Sequence, residues 1–160
     1  MPFIIFSIAV WLVLCLPIQD ALGAQDSLIA KQLREEAQKF WSTDSAKSEL
    51  LLTEAIGLDP NSFDALESRA FLNLHTNPTK ARADFTTLIN GNWEKKTLWF
   101  YARGELYFDA GKYELAIADF NAAEALRPGD PGRYDARGKS YELLKLHELA
   151  IADFSAAIKA

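Results

Sequence analysis

Apolar residues recur at spacings of three and four along most of this chain, the signature of one buried helix face. Between Glu94 and Ala110 they fall on Phe100, Gly104 and Tyr107. After a turn at Gly111 they fall on Ala116, Phe120 and Ala123 of a second helix, Tyr113 to Leu126. Pro128-Gly129-Asp130-Pro131-Gly132 then ends the pattern, because proline cannot continue a helix and glycine permits the reversal. The same helix-turn-helix plan returns 34 residues later through Tyr134, Gly138, Tyr141, Ala150, Phe154 and Ala157. Ala102-Arg103-Gly104 recurs as Ala136-Arg137-Gly138, and Glu114 to Phe120 recurs unchanged as Glu148 to Phe154. Between residues 97–126 and 131–160, 13 of 30 aligned positions are identical. A fixed period of this length predicts stacked supersecondary units.

Two more divergent units precede these. Leu66, Ser68-Arg69-Ala70 and Ala83-Asp84-Phe85 keep the frame, with Asn77-Pro78 reading as an N-cap followed by proline at the first helical position. A first unit runs from Ser27 to Pro60 through Ala37, Phe40, Leu52 and Ala55. The expected repeats are about 29–62, 63–96, 97–130 and an incomplete 131–160. Gly104, Gly138, Ala70 and Ala37 sit where paired helices cross, and small side chains there let the axes approach while Phe120 and Phe154 fill the space beside them.

These units resemble tetratricopeptide repeats. The signature places hold Phe100, Gly104, Tyr107, Ala116, Phe120, Ala123 and Pro128 in the third unit, and Gly138, Tyr141, Ala150 and Phe154 in the fourth. The second unit departs with Asn73 in an aromatic's place and Asn90-Gly91-Asn92-Trp93 where a closing proline is usual. The first has Ser48 at a small-residue position. The resemblance implies an all-α fold, a right-handed superhelical solenoid of helix-turn-helix repeats over residues 25–160.

The first 24 residues are different. Phe3 to Leu16 is apolar apart from Ser7, and Ala21-Leu22-Gly23-Ala24 follows, which reads as a secretory leader with cleavage after Gly23 or Ala24. No Lys or Arg precedes the run. Phe3 to Ile18 makes about 24 Å of helix, short of a hydrocarbon core of about 30 Å, so an uncleaved anchor is the lesser expectation. The expected location is periplasmic or extracellular, with no membrane association once the leader is removed. Cys15, the single cysteine, would leave with it. The remaining chain carries 17 basic against 21 acidic residues, which argues against a nucleic-acid partner.

Catalytic material is sparse. His75 and His147 are the only histidines and have no recurring neighbours, glycines lie at turns and crossings, and no enzyme activity, metal or cofactor is expected. The informative residues lie on the first helix of each unit, on the face turned from the second, which lines the concave groove in proteins of the resembled family. That stripe includes Phe71 and Leu74, then Leu98, Tyr101, Glu105 and Phe108, then Asp135 and Lys139. Its apolar, aromatic middle with charged ends has the composition of a recognition hot spot for a protein or peptide partner; the competing reading packs some of these rings between repeats. The family's basic clamp for a partner's terminal carboxylate is missing from the stripe. Arg69, Arg103 and Arg137 recur with Asp84, Asp119 and Asp153, and a ladder of ion pairs is the simplest account of both rows. The fourth unit has no capping helix after it, so Leu149, Ala152, Ala156 and Ala160 are expected to be partly bare and to promote self-association or fraying from about His147. A non-catalytic interaction scaffold is the resulting expectation. The alternatives are an assembly subunit that makes contact through this C-terminal end, or a piece of a longer array.

Overall fold

The computed structural model describes residues 22–91 and 94–160. Residues 1–21, which hold most of the expected leader and Cys15, and Asn92-Trp93 lie outside them. The described residues are helical with no strand: α1 (22–39), α2 (Ser45–Leu58), α3 (Phe63–Leu72), α4 (Pro78–Asn90), α5 (Lys96–Asp109), α6 (Tyr113–Leu126), α7 (Pro131–Leu143) and α8 (His147–Lys159). They divide into two compact units, one ending at Ser68 and one from Arg69 to Ala160.

In the first unit, Ala30, Ala37, Leu52, Ala55 and Ala65 are buried. Asp44 caps α2 by accepting from the Lys47 N–H at 2.9 Å, satisfying one of the amides that a helix start leaves unpaired. The Lys47 ammonium lies 3.6 Å from the Phe40 ring centroid. Ser48 is fully buried, and its hydroxyl has no hydrogen-bond partner. Other repeats carry Ala81, Ala116 and Ala150 at this place, so the hydroxyl is a polar cost at a site whose packing asks only for a small side chain.

The second unit has the more regular repeats. α5 packs on α4 and α6, and α7 on α6 and α8. The crossings are tight where the small residues were expected. A methyl group at Gly104 would lie 2.7 Å from Phe120 Cε1, and one at Gly138 would lie 2.8 Å from Phe154 Cε1. Caps set the helix starts: Asn77 accepts from the Lys80 N–H and Asp130 from the Arg133 N–H, each at 3.1 Å, with Pro78 and Pro131 in the first turns. Gly111 turns the chain with φ +70°, and Lys145, its equivalent 34 residues on, adopts φ 59° without glycine's freedom.

The recurring arginines and aspartates do form ion pairs. Arg69 meets Asp84 through two hydrogen bonds of 2.9 and 2.8 Å, Arg103 meets Asp119 at 2.8 and 2.7 Å, and Arg137 meets Asp153 at 2.7 and 2.6 Å. Arg103 also donates to the Thr86 hydroxyl at 3.0 Å, and Arg137 to Asn121 Oδ1 at 2.6 Å. Thr86 and Asn121 both follow the conserved-spacing phenylalanine of the preceding repeat, so each guanidinium closes its own helix pair and ties it to the one before. The hydrogen bonds they donate to their aspartates raise Arg103 and Arg137 above the usual arginine value, keeping both cationic.

Two buried residues carry no repeat signature. Trp99 is the largest fully buried side chain, and Arg133 occupies its place in the next repeat. Arg133 donates to Glu124 through Nε at 3.2 Å and to the Arg127 carbonyl through Nη2. Glu124 also accepts from the Gly129 N–H and the Tyr134 hydroxyl, both at 2.7 Å, which fixes the loop between α6 and α7. Burial alone would raise the Glu124 carboxyl, but these bonds from Tyr134, Gly129 and Arg133 outweigh it and hold the group below its ordinary value.

Candidate partner-binding cleft

Tyr101, Glu105 and Asp109 follow one another at four-residue intervals on α5 and therefore share a face. Gly132, Asp135 and Lys139 do the same at three and four on α7. These two faces wall a cleft of about 510 Å3, with Phe108 and Ala136 on its walls, Leu74 and His75 beyond the end of α3, and Leu106 and Phe120 beneath. The buried Leu106 and Phe120 make its base apolar.

The polar groups of the cleft are held by their neighbours. The Tyr101 hydroxyl donates to Glu105 Oε1 at 2.9 Å, and its ring stands 5.7 Å from that of Phe120. Burial first, then Glu105, pushes the phenol far above its ordinary ionisation, so Tyr101 is a neutral donor; the charges of Asp130 and Asp135 act in the same direction. Lys139 Nζ lies 2.6 Å from Asp135 Oδ2, one turn earlier on α7. The Phe108 ring meets Tyr113 edge-on at 5.5 Å, which sets the angle at which it faces the cleft.

Leu74, Tyr101, Glu105, Phe108, Asp135 and Lys139 of the expected groove therefore come together. Phe71 does not join them: it is half-buried and packs edge-on at 5.3 Å against Phe85, on the second helix of its own repeat. Leu98 lines a second cleft of about 640 Å3 with Glu94, Lys95, Leu126, Arg127, Asp130 and Arg133, and Tyr101 borders both. The expected stripe omits two lining residues, Asp109 and His75. Asp109 was within reach of the four-residue spacing from Glu105, whereas His75 lies past the end of α3, where helical spacing gives no guidance.

The lining contains no Ser, Thr or Cys. Among the described residues no three His, Cys, Asp or Glu side chains gather as a metal site, and no helix is long and apolar enough to cross a membrane. The arrangement offers aromatic faces, an apolar base and carboxylates, which is equipment for holding a ligand.

A family model described as tetratricopeptide repeat matches residues 100–130, within the expected third repeat. That stretch is a tetratricopeptide repeat. Its fold is shared with solved structures of MamA. MamA of AMB-1 superposes with a TM-score of 0.75 at 18% identity, covering 81% of this chain and 72% of the other. MamA of MSR-1 gives 0.74 at 19% identity over 81% and 75%. A further crystal structure of MamA gives 0.76 at 20% identity over 88% and 82%. No curated protein matches the chain. At these identities the likeness to MamA is one of fold: an all-α helical solenoid of tetratricopeptide type. Stacked repeats of this family present extended recognition surfaces, and the function class this supports is a protein-interaction scaffold.

Proposed function

We propose that this tetratricopeptide repeat protein is a non-catalytic scaffold that takes a segment of a partner protein into the cleft between α5 and α7. The observation that carries the reading is the placement of Tyr101 and Phe108 on a cleft with an apolar base and charged rim. Rigid aromatic anchors surrounded by polar groups that exclude water are where interfaces concentrate their affinity. Export by the N-terminal leader is part of the proposal and rests on residues 1–24 alone. An intact mass beginning near Gln25 in protein recovered from an exporting host supports it, and a mass retaining residues 1–24 overturns it.

A second reading has its own support. Leu149, Ile151 and Ile158 on α8 are exposed, Ile158 at 86%, whereas Ile117, the equivalent of Ile151 one repeat earlier, is half-buried. That face would suit an assembly contact. Photo-crosslinking in the cell separates the two, with the reactive amino acid at Lys139 in the cleft or at Ile151 on α8. The cleft reading expects adducts from position 139 that disappear in Tyr101→Ala. Adducts from position 151 alone would overturn it in favour of assembly through α8.

A further inference from the structure

Resting on the reading of the α5–α7 cleft as a docking site, we propose that its occupant is a basic segment. A Lys or Arg head meets Glu105 and Asp109 while its alkyl stem lies along Tyr101 and Phe108. Three carboxylates, Glu105, Asp109 and Asp135, line this cleft against one cation, Lys139. Lys139 is already engaged by Asp135 at 2.6 Å, so its charge is offset within α7. Glu105 accepts a neutral hydrogen bond from Tyr101, which leaves its negative charge in place. The remaining charge sits on the α5 wall, beside two aromatic faces.

Burial is the first cause of the suppressed ionisation of Tyr101, and the negative charges of Glu105, Asp130 and Asp135 add to it. The acidity is local. Across Tyr101, the second cleft has the opposite balance, with Lys95, Arg127 and Arg133 against Glu94 and Asp130. An acidic segment entering the α5–α7 cleft would place like charges together, and a purely apolar one would leave the carboxylates facing apolar surface. A long basic side chain satisfies both halves of the site, because its stem is apolar and its head cationic. Lys47 over the Phe40 ring shows the same pairing of ammonium and aromatic face within this chain.

A random peptide library displayed on phage tests the inference when selected on the full chain and on three variants: Tyr101→Ala, Glu105→Gln with Asp109→Asn, and Lys139→Gln. Peptides that bind the wild type and are lost on Tyr101→Ala should carry an excess of Lys or Arg beside an aromatic or aliphatic residue. Their affinity should fall roughly five- to tenfold on the double variant, weaken with added salt, and rise on Lys139→Gln, which frees Asp135. A gain of affinity cannot come from misfolding, so the Lys139 variant keeps the test sharp. Tyr101-dependent peptides without basic excess would overturn the charge assignment and leave the docking site standing. Selection of no peptide that depends on Tyr101 would overturn both.

Discussion

Gly104→Ala should destabilise this protein even though alanine is the better helix former. The added methyl carbon would stand 2.7, 2.9 and 3.2 Å from Cε1, Cδ1 and Cζ of Phe120. Carbon atoms prefer about 3.5–4.0 Å, so the ring or the α5 axis must move by roughly 1 Å. Phe120 is 1% exposed, so shifting its ring disturbs the contacts that bury it. Overpacking of this kind costs about 1–3 kcal/mol, and replacing glycine within a helix returns up to about 1 kcal/mol, so the net loss should be about 1–2 kcal/mol. Gly57→Ala in α2 is the control, because nothing lies within 4 Å of its added methyl, and it should gain up to about 1 kcal/mol. Urea unfolding followed by far-ultraviolet circular dichroism should therefore separate the two variants by about 1–3 kcal/mol. Gly104→Ala combined with Phe120→Leu should lose less than the sum of the single changes, since the smaller residue removes the collision. Gly104→Ala as stable as Gly57→Ala would refute the close-crossing argument.

Arg103→Ala should cost about 3 kcal/mol in the same assay, because it leaves Asp119, 4% exposed, without its two guanidinium hydrogen bonds; Arg103→Lys should recover little, since an ammonium cannot bond both oxygens side by side. Lys145→Gly should stabilise by about 1 kcal/mol by relieving the left-handed turn at φ 59°, and a destabilised variant would show that the turn carries no strain. Glu124→Gln should lose stability at neutral pH. The native carboxyl is held below its ordinary value of 4.5, so its contribution is present above that pH and fades as pH falls through the lower folded value. Unfolding across pH should show wild type and variant converging in acid, and a constant gap would contradict the assignment.

What the amino-acid sequence determined by itself is what depends on neighbours in the chain. Asn77-Pro78 and Asp130-Pro131 start helices because caps and proline act within one turn, and Tyr113 to Leu126 is helical over the span its apolar spacing marks. The repeat added long-range information: a small residue and a phenylalanine recurring together implied that Gly104 meets Phe120, and arginine recurring with aspartate implied their pairing. The tertiary structure decided which way each first-helix residue faces once its neighbours are packed. Phe71 and Leu98 share a stripe with Tyr101 and Phe108, yet one turns to Phe85 and the other to a second cleft. Trp99 is buried at a position without a signature, and Arg133 is buried in its place one repeat later because Glu124 and the Arg127 carbonyl are there to receive it. The spacing along a helix fixes which residues share its face, but the position and rotation of the next helix settle whether that face meets solvent, a ring or a carboxylate.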